Sequence, residues 1–460
     1  MSRSQRNIDE LENVSVKRLL WKYFLPSFAG VILNSLYNIV DRIFIGQGVG
    51  AIALSGISAV FPVMLIVMGF GMLIGIGSSV RISINLGKKD INRAEKVLGN
   101  SVVLIFIISV FITILGFIIK VPLLNMFGVS DETFGYANSY LNIILSGTAF
   151  GMMGFALNNV IRSEGNAKIA MYSMFISAGL NMLLDPLFIF VFDMGVKGAA
   201  WATIISQLAL AIWVLNHFLS KKSVISLHFK NFKLDRKIIW YILTIGFAPF
   251  SMQIAASFVQ GTFNTQLIKF GGDIAVGAMG IIISITMLIL MSIIAINMAS
   301  QPIIGFSHGS KNYKRVKEAL VVSLWAATII STCGFLVVEL FPQTIVKLFN
   351  HESSELLEIG TTGLRIFLCA WPIVGFQIVA SSYYQATGKA GTAVFLSLLR
   401  QVIVLIPILI LIPNFWGLTG VWLAGPISDA VSGIVCGIFI LFEFRKINSY
   451  IKYPELIKSS

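Results

Sequence analysis

Long apolar blocks alternate with short polar connections along the whole chain, and some blocks, such as Ser101–Ile119, carry no charge at all. A helix rising 1.5 Å per residue needs about 20 such residues to cross the hydrocarbon of a bilayer. The pattern predicts twelve spans, at 17–45, 51–84, 95–119, 133–162, 168–193, 197–219, 237–268, 274–306, 315–341, 357–386, 391–413 and 417–444. Backbone groups in lipid must pair within their own segment, so all twelve are expected to be helices, making an all-α integral membrane protein. The second and eighth are long enough to tilt or to project beyond the bilayer. Composition agrees: a mean hydropathy of +0.86 and only 12% charged residues exclude a water-soluble core.

A net charge of +13 would suit a nucleic-acid binder, but its distribution argues otherwise. The basic residues sit in short loops, and one set of loops holds most of them: Lys88, Lys89, Arg93 and Lys96, then Arg162 and Lys168, the 221–237 connection, Lys311 to Lys317, and Lys389. The opposite connections hold little beyond Lys120, Lys197, Lys269 and Lys347. With an even number of spans, this asymmetry puts both termini in the cytoplasm of a multi-pass protein, here expected in a bacterial-type inner (cell) membrane. No secretory signal is expected in the polar, mixed-charge stretch Met1–Ser15. Cys333, Cys369 and Cys436 lie singly in or beside apolar spans and read as packing residues.

The chain also repeats itself. Gly87-Lys88-Lys89-Asp90 with Arg93 returns as Gly309-Ser310-Lys311-Asn312 with Arg315, an offset of 222 residues (309 − 87). Gly195-x-x-Gly198 returns as Gly417-x-x-Gly420, Pro186 as Pro407, and Pro26 as Pro249. Two six-helix lobes follow, 1–219 and 237–460, joined by a cytoplasmic linker at 220–236. Parallel repeats of this kind pack about a pseudo-two-fold axis along the membrane normal and leave a cleft near the midplane, which rocking would open to each side in turn.

Within this apolar frame the stretch Asn34–Gly46 carries Asp41, with Tyr37 one turn earlier and Asn34 and Asn38 on the same stripe. The fifth span carries Asn181 and Asp185 one turn apart, followed by Pro186. A carboxylate at the centre of a spanning helix costs about 2.5–3.5 kcal/mol, so it reads by default as functional; the alternative is a solvated helix end. Two such groups in one site would titrate as a coupled unit. Asn158, Asn181 and Thr203 offer hydrogen bonds to a protonated form, or oxygen to Na⁺, whose candidate ligands are Asp41, Asn181, Asp185 and Thr203. Pro26 and Pro186 are the expected bends; Pro186 frees the Met182 carbonyl. By the repeat, Asn264 stands for Asp41, Gln260 for Tyr37 and a position near Ile406 for Asp185, so charge chemistry is expected in the first lobe only. Asn34, Asn38, Gln253, Gln260, Asn264, Met287, Gln377 and Arg400 are candidates for a substrate cleft. Arg42 is expected to snorkel to the outer headgroups, while Arg365 and Arg400 are ambiguous between cleft and membrane face. Gly69, Gly71, Gly75 and Gly77 follow no strand and read as helix-packing residues, and His351-Glu352 lacks the second His of a zinc helix. No Walker lysine, nucleophile elbow or paired-Cys metal site is present, which argues against an enzyme.

Taken together, Tyr37-Asn38-x-x-Asp41, the Gly87–Lys96 loop, Arg162-Ser-Glu-Gly165-Asn166, Asn181-x-x-x-Asp185-Pro186 and Gly195-x-x-Gly198 resemble the multidrug and toxic compound extrusion (MATE) family over nearly the whole chain. The missing acids in spans seven and ten resemble its DinF/MepA-like branch. The resemblance implies a cation-coupled exporter of bulky, often cationic organic compounds and drugs. It implies a first-lobe coupling site at Tyr37, Asp41, Asn158, Asn181, Asp185 and Thr203 for H⁺, Na⁺ or both. No other cofactor and no nucleic acid is expected, and the transporter is expected to work as a monomer in the lipid bilayer. Two rivals stand beside it. A lipid-linked oligosaccharide flippase of the same superfamily would need Arg42, Arg365 and Arg400 in one cationic cavity. A channel or membrane enzyme would need a filter or metal motif.

Overall fold

The computed structural model describes residues 3–127, 129–220, 223–349 and 354–457; His351 and Glu352, and the side chains of Asn34 and Asn38, lie outside the described set. The first half contains α1 (Arg3–Asn13), α2 (Val16–Gly48), α3 (Ala51–Gly87), α4 (Ile91–Met126), α5 (Asp131–Ser146), α6 (Thr148–Ser163), α7 (Ala167–Pro186) and α8 (Gly195–Leu219). The second contains α9 (Arg236–Gly272), α10 (Ile274–Gly309), α11 (Tyr313–Leu340), α12 (Pro342–Phe349), α13 (Ser354–Leu368), α14 (Trp371–Ala386), α15 (Ala390–Leu411) and α16 (Pro413–Lys452). Among the described residues there is no strand. Ten helices are long and apolar enough to cross a membrane, and two bent pairs supply the other two spans of a twelve-helix fold.

Two spans are bent at breaks outside the expected proline bends. Span four is α5 and α6, bent by 56° at Gly147; span ten is α13 and α14, bent by 46°. At Gly147 the chain runs against α8, where an added Cβ would sit 2.4 Å from Ile204 Cγ1. Spans five and eleven each contain a π-helix, Leu187–Val191 and Leu399–Leu405. The first follows Pro186 and the second precedes Pro407, so the repeat is kept in place but not in order around its proline.

The internal repeat is visible in the backbone itself. Positive φ angles pair at a spacing of 222 residues in Gly50 with Gly272, Lys89 (60°) with Lys311 (59°), and Gly195 (54°) with Gly417 (54°), and at one residue more in Gly165 with Gly388. Asp90 and Asn312 open the next helices alike, each accepting from an arginine N–H, Arg93 at 2.9 Å and Arg315 at 3.1 Å.

By Cα proximity the chain divides into two compact units. Unit 1 takes residues 1–14 and 21–250, and unit 2 takes 15–20 and 251–460. The first turns of α2 thus fall in unit 2 and the first turns of α9 in unit 1. Unit 1 packs around Ile45, Val60, Tyr140, Leu141, Leu145 and Ala199. Unit 2 packs around Trp371 and Trp422 with Leu364, Leu368 and Val421.

In unit 1 the start of α9 crosses α3 with backbones in contact. An added Cβ at Gly246 would lie 1.7 Å from the Leu73 carbonyl oxygen, and one at Gly77 would lie 2.1 Å from that of Ile242. The glycines of α3 therefore serve helix packing. Gly77→Ala and Gly246→Ala should each cost about 1–3 kcal/mol by overpacking. Gly135→Ala, where an added Cβ meets nothing within 4 Å, should instead gain about 0.5–1 kcal/mol of helix stability. Thermal unfolding of the detergent-purified variants checks this; equal midpoints for all three would contradict the crossing.

Candidate functional site

Four helices of unit 1 converge on one polar point. Asp41 comes from α2 seven residues before that helix ends, Asn181 and Asp185 come from the last turns of α7, Tyr140 from α5 and Thr203 from α8. Asp185 is fully buried, and Asn181, Tyr140 and Thr203 are nearly so. The Asp41 and Asp185 carboxyl groups lie within hydrogen-bonding range of each other. Asn181 Nδ2 donates to Asp185 Oδ1 at 3.3 Å, the one-turn contact that their spacing predicts. The Tyr140 hydroxyl neighbours Thr203 and lies within electrostatic reach of both aspartates and of Tyr37.

The chemistry of this cluster lies in an excess of acceptors. Asp41 Oδ1, Asp185 Oδ2 and Asn181 Oδ1 are buried and make no hydrogen bond among the described residues. Buried acceptors left unmet are costly, and two facing carboxylates repel as well. A shared proton would join the carboxyls, and a small hard cation would accept oxygen from all three residues and from Thr203. The donor set thus fits either H⁺ or Na⁺.

Some predicted residues lie elsewhere or do other work. Asn158 Nδ2 donates to the Ala170 carbonyl at 2.8 Å and to Ser173 Oγ at 2.6 Å, so its amide nitrogen ties α6 to α7. Pro26 is buried inside α2, which continues through it as one helix, whereas Pro186 ends α7 and hands the chain to the π-helix. In unit 2, Gln260 Nε2 donates to Asn264 Oδ1 at 3.3 Å on an exposed face; Gln253 is half-buried and Met287 is exposed. Gln377 is only 3% exposed, with its Oε1 unmet among the described residues.

Arg400, a candidate for the cleft, is ion-paired: its Nε lies 2.6 Å from Asp429 Oδ1, and Ser428 Oγ donates to the Arg400 carbonyl at 2.6 Å. Asp429, 3% exposed, is a buried acid in the half where none was expected. The signal was present, since Asp429 is an acid within the span 417–444 just as Asp41 is within 17–45, but the repeat drew attention only to positions matching Asp41 and Asp185. Arg42 stacks over the Phe61 ring at 5.0 Å, and Arg365 pairs with Glu339 at 3.5 Å. Tyr140 was missed as well; its only sequence signal is a phenol inside the apolar fourth span.

A profile of the MatE family matches residues 26–187 and again 249–411, once in each half. The two matches start 223 residues apart (249 − 26), as the repeat requires. The chain belongs to the MatE family. It is 28% identical over 410 residues to the multidrug export protein MepA of Staphylococcus aureus (strain MRSA252), covering 89% of this chain and 90% of the relative. Among solved structures, a MOP superfamily transporter from Pyrococcus furiosus superposes with a TM-score of 0.89 at 25% identity, covering 96% of this chain and 98% of that one. A multidrug resistance MATE family transporter described in an outward-facing conformation gives 0.89 at 24% identity, with the same coverage. Membership of MatE makes this a multi-pass membrane transporter and not an enzyme.

Within this MatE chain the Arg400–Asp429 pair is a structural tie between α15 and α16 that can be tested by itself. Asp429→Asn or Arg400→Met alone should destabilise by about 3 kcal/mol, because one buried partner is stranded. Arg400→Met with Asp429→Leu should recover most of that loss. Thermal unfolding reads both; additive losses in the double variant would count against a paired site.

Proposed function

We propose that this MatE chain is a secondary antiporter that exports bulky, often cationic organic compounds in exchange for H⁺ or Na⁺, with Asp41 and Asp185 as its coupling site. The observation that carries the reading is the pair of buried carboxyls within bonding range, surrounded by acceptor oxygens that lack donors. The names of the MepA relatives support multidrug export as the direction and substrate class. The basic loops support cytoplasmic termini in a cell membrane of bacterial type.

In the proposed cycle, both carboxylates are ionised when an organic cation arrives from the cytoplasm. Each gains by the nearby positive charge. Protons or Na⁺ from outside then claim the same oxygens, remove that gain and release the cation outward. A ligand shifts a two-state equilibrium only by its difference in affinity for the two states, and competition for one pair of acids supplies that difference. Asn181 would hold Asp185 in place through its amide, and the Tyr140–Thr203 pair would present oxygen to the arriving ion. The flippase reading loses its main support, because Arg400 is neutralised by Asp429, Arg365 pairs with Glu339, and Arg42 stacks on Phe61.

Two outcomes are expected. In proteoliposomes, Asp41→Asn and Asp185→Asn should each lower gradient-driven ethidium efflux at least about tenfold with expression unchanged, measured once under an imposed pH gradient and once under an imposed Na⁺ gradient. Undiminished drug resistance in cells carrying both changes would contradict the coupling site. Replacing Gln260, Asn264 or Met287 should change which drugs are exported while sparing coupling, because these groups are polar or polarisable but uncharged. An unaltered resistance spectrum across all three would remove them from the substrate path.

A further inference from the structure

The connection after α8 was read as a basic linker, yet the described residues 223–235 are bound to unit 1 along their length. Glu164, 0% exposed between α6 and α7, accepts with Oε2 from Ser223 Oγ at 2.7 Å and from the Val224 and Ile225 amides at 2.7 and 3.4 Å. Its other oxygen, Oε1, meets His217 Nε2 at 2.5 Å and Asn166 Nδ2 at 3.4 Å. Further along, Glu95 of α4 accepts from the Ser226 amide at 3.0 Å. Asn100, also on α4, donates to the Asn231 and Lys233 carbonyls at 3.3 and 3.2 Å and accepts from the Asp235 amide at 2.7 Å. Beside it, an added Cβ at Gly99 would lie 2.4 Å from the Asn231 carbonyl oxygen, so the strand of linker rests directly on α4.

The last of these contacts sets the start of α9. Asp235, held by Asn100, accepts from the Lys237 and Ile238 amides at 2.8 and 3.4 Å and so caps that helix. A tether meant to swing would leave its backbone to water, because ordering it costs about 1–2 kcal/mol per residue. Here buried side chains meet the backbone groups instead.

We propose that residues 223–235 are a strap that stays docked on unit 1 throughout transport, with Glu164 and Asn100 as its positioning residues. The strap fixes where α9 begins, so movement of the chain between its halves is taken up beyond Asp235, within α9. Only the functional arm of the test rests on the export reading; the exchange arm does not.

Amide hydrogen exchange of the wild-type protein should show Val224–Ser226 and Asp235 protected at least about a hundredfold relative to an open loop, with or without ethidium. Glu164→Ala should speed exchange at 224–225 about tenfold and spare 235, while Asn100→Ala should do the reverse. Glu164→Gln keeps an acceptor for the amides and should rescue both protection and turnover, whereas Glu164→Ala lowers maximal efflux with KM unchanged. His228 Nε2 of the strap lies 3.6 Å from Glu95 Oε1, so in a background lacking Cys333, Cys369 and Cys436, Glu95→Cys and His228→Cys joined by a short bis-thiosulfonate should export ethidium within about twofold of the uncrosslinked protein. Open-loop exchange in the wild type, no cross-link, or a loss of export that reducing agent restores would each overturn the strap. If Glu164→Ala does not fold, the wild-type exchange and the cross-link decide alone.

Discussion

A carboxylate inside a membrane-spanning helix is expensive, and this chain brings two of them, from α2 and α7, to a single buried point. Most of the architecture of unit 1 serves that arrangement. α5 is bent away from α6 at Gly147 and brings Tyr140 to Thr203, and α7 gives way to a π-helix one residue after Asp185. π-Helices are rare and concentrate at functional sites, because the wider turn leaves backbone groups less tightly committed. Three acceptor oxygens without donors among the described residues are what the proposed ion site would require.

The second half shows the same backbone solved with different chemistry. Its fifth span also contains a π-helix, but the charged residue within it is Arg400, already paired with Asp429 of α16. Arg42 acts on Asp41 through its charge, but among the described residues no ion pair ties Asp41 or Asp185 to a base, whereas Asp429 is bound directly to a guanidinium. This contrast gives a physical reason for placing the proposed coupling in the first half even though both halves bury an aspartate.

Much of the fold was legible because lipid restricts the options. Apolar block length predicted the twelve spans, and repeated Gly and Lys positions predicted the symmetry now seen in the φ angles of Lys89 and Lys311. Asp41, Asn181 and Asp185 were legible because an acid in an apolar span is conspicuous. The breaks at Gly147 and before Trp371 were not, since a small residue in a helix more often marks packing than a bend. The Arg400–Asp429 pair was hidden by 29 residues of separation, and the docking of the linker depends on Glu164 and Asn100, whose partners include backbone amides and carbonyls that no side-chain pattern reveals.

Competition between substrate and ion for one pair of oxygens is tested most directly by the heat and protons of binding. Ethidium titrated into the detergent-purified protein, in Na⁺-free buffers of differing ionisation enthalpy and again with rising Na⁺, reports what leaves as the drug enters. The account predicts that wild-type protein gives up a proton, or binds progressively more weakly as Na⁺ rises, and that Asp41→Asn and Asp185→Asn each abolish this linkage. Binding indifferent to both ions, or a linkage that survives in either variant, would contradict it.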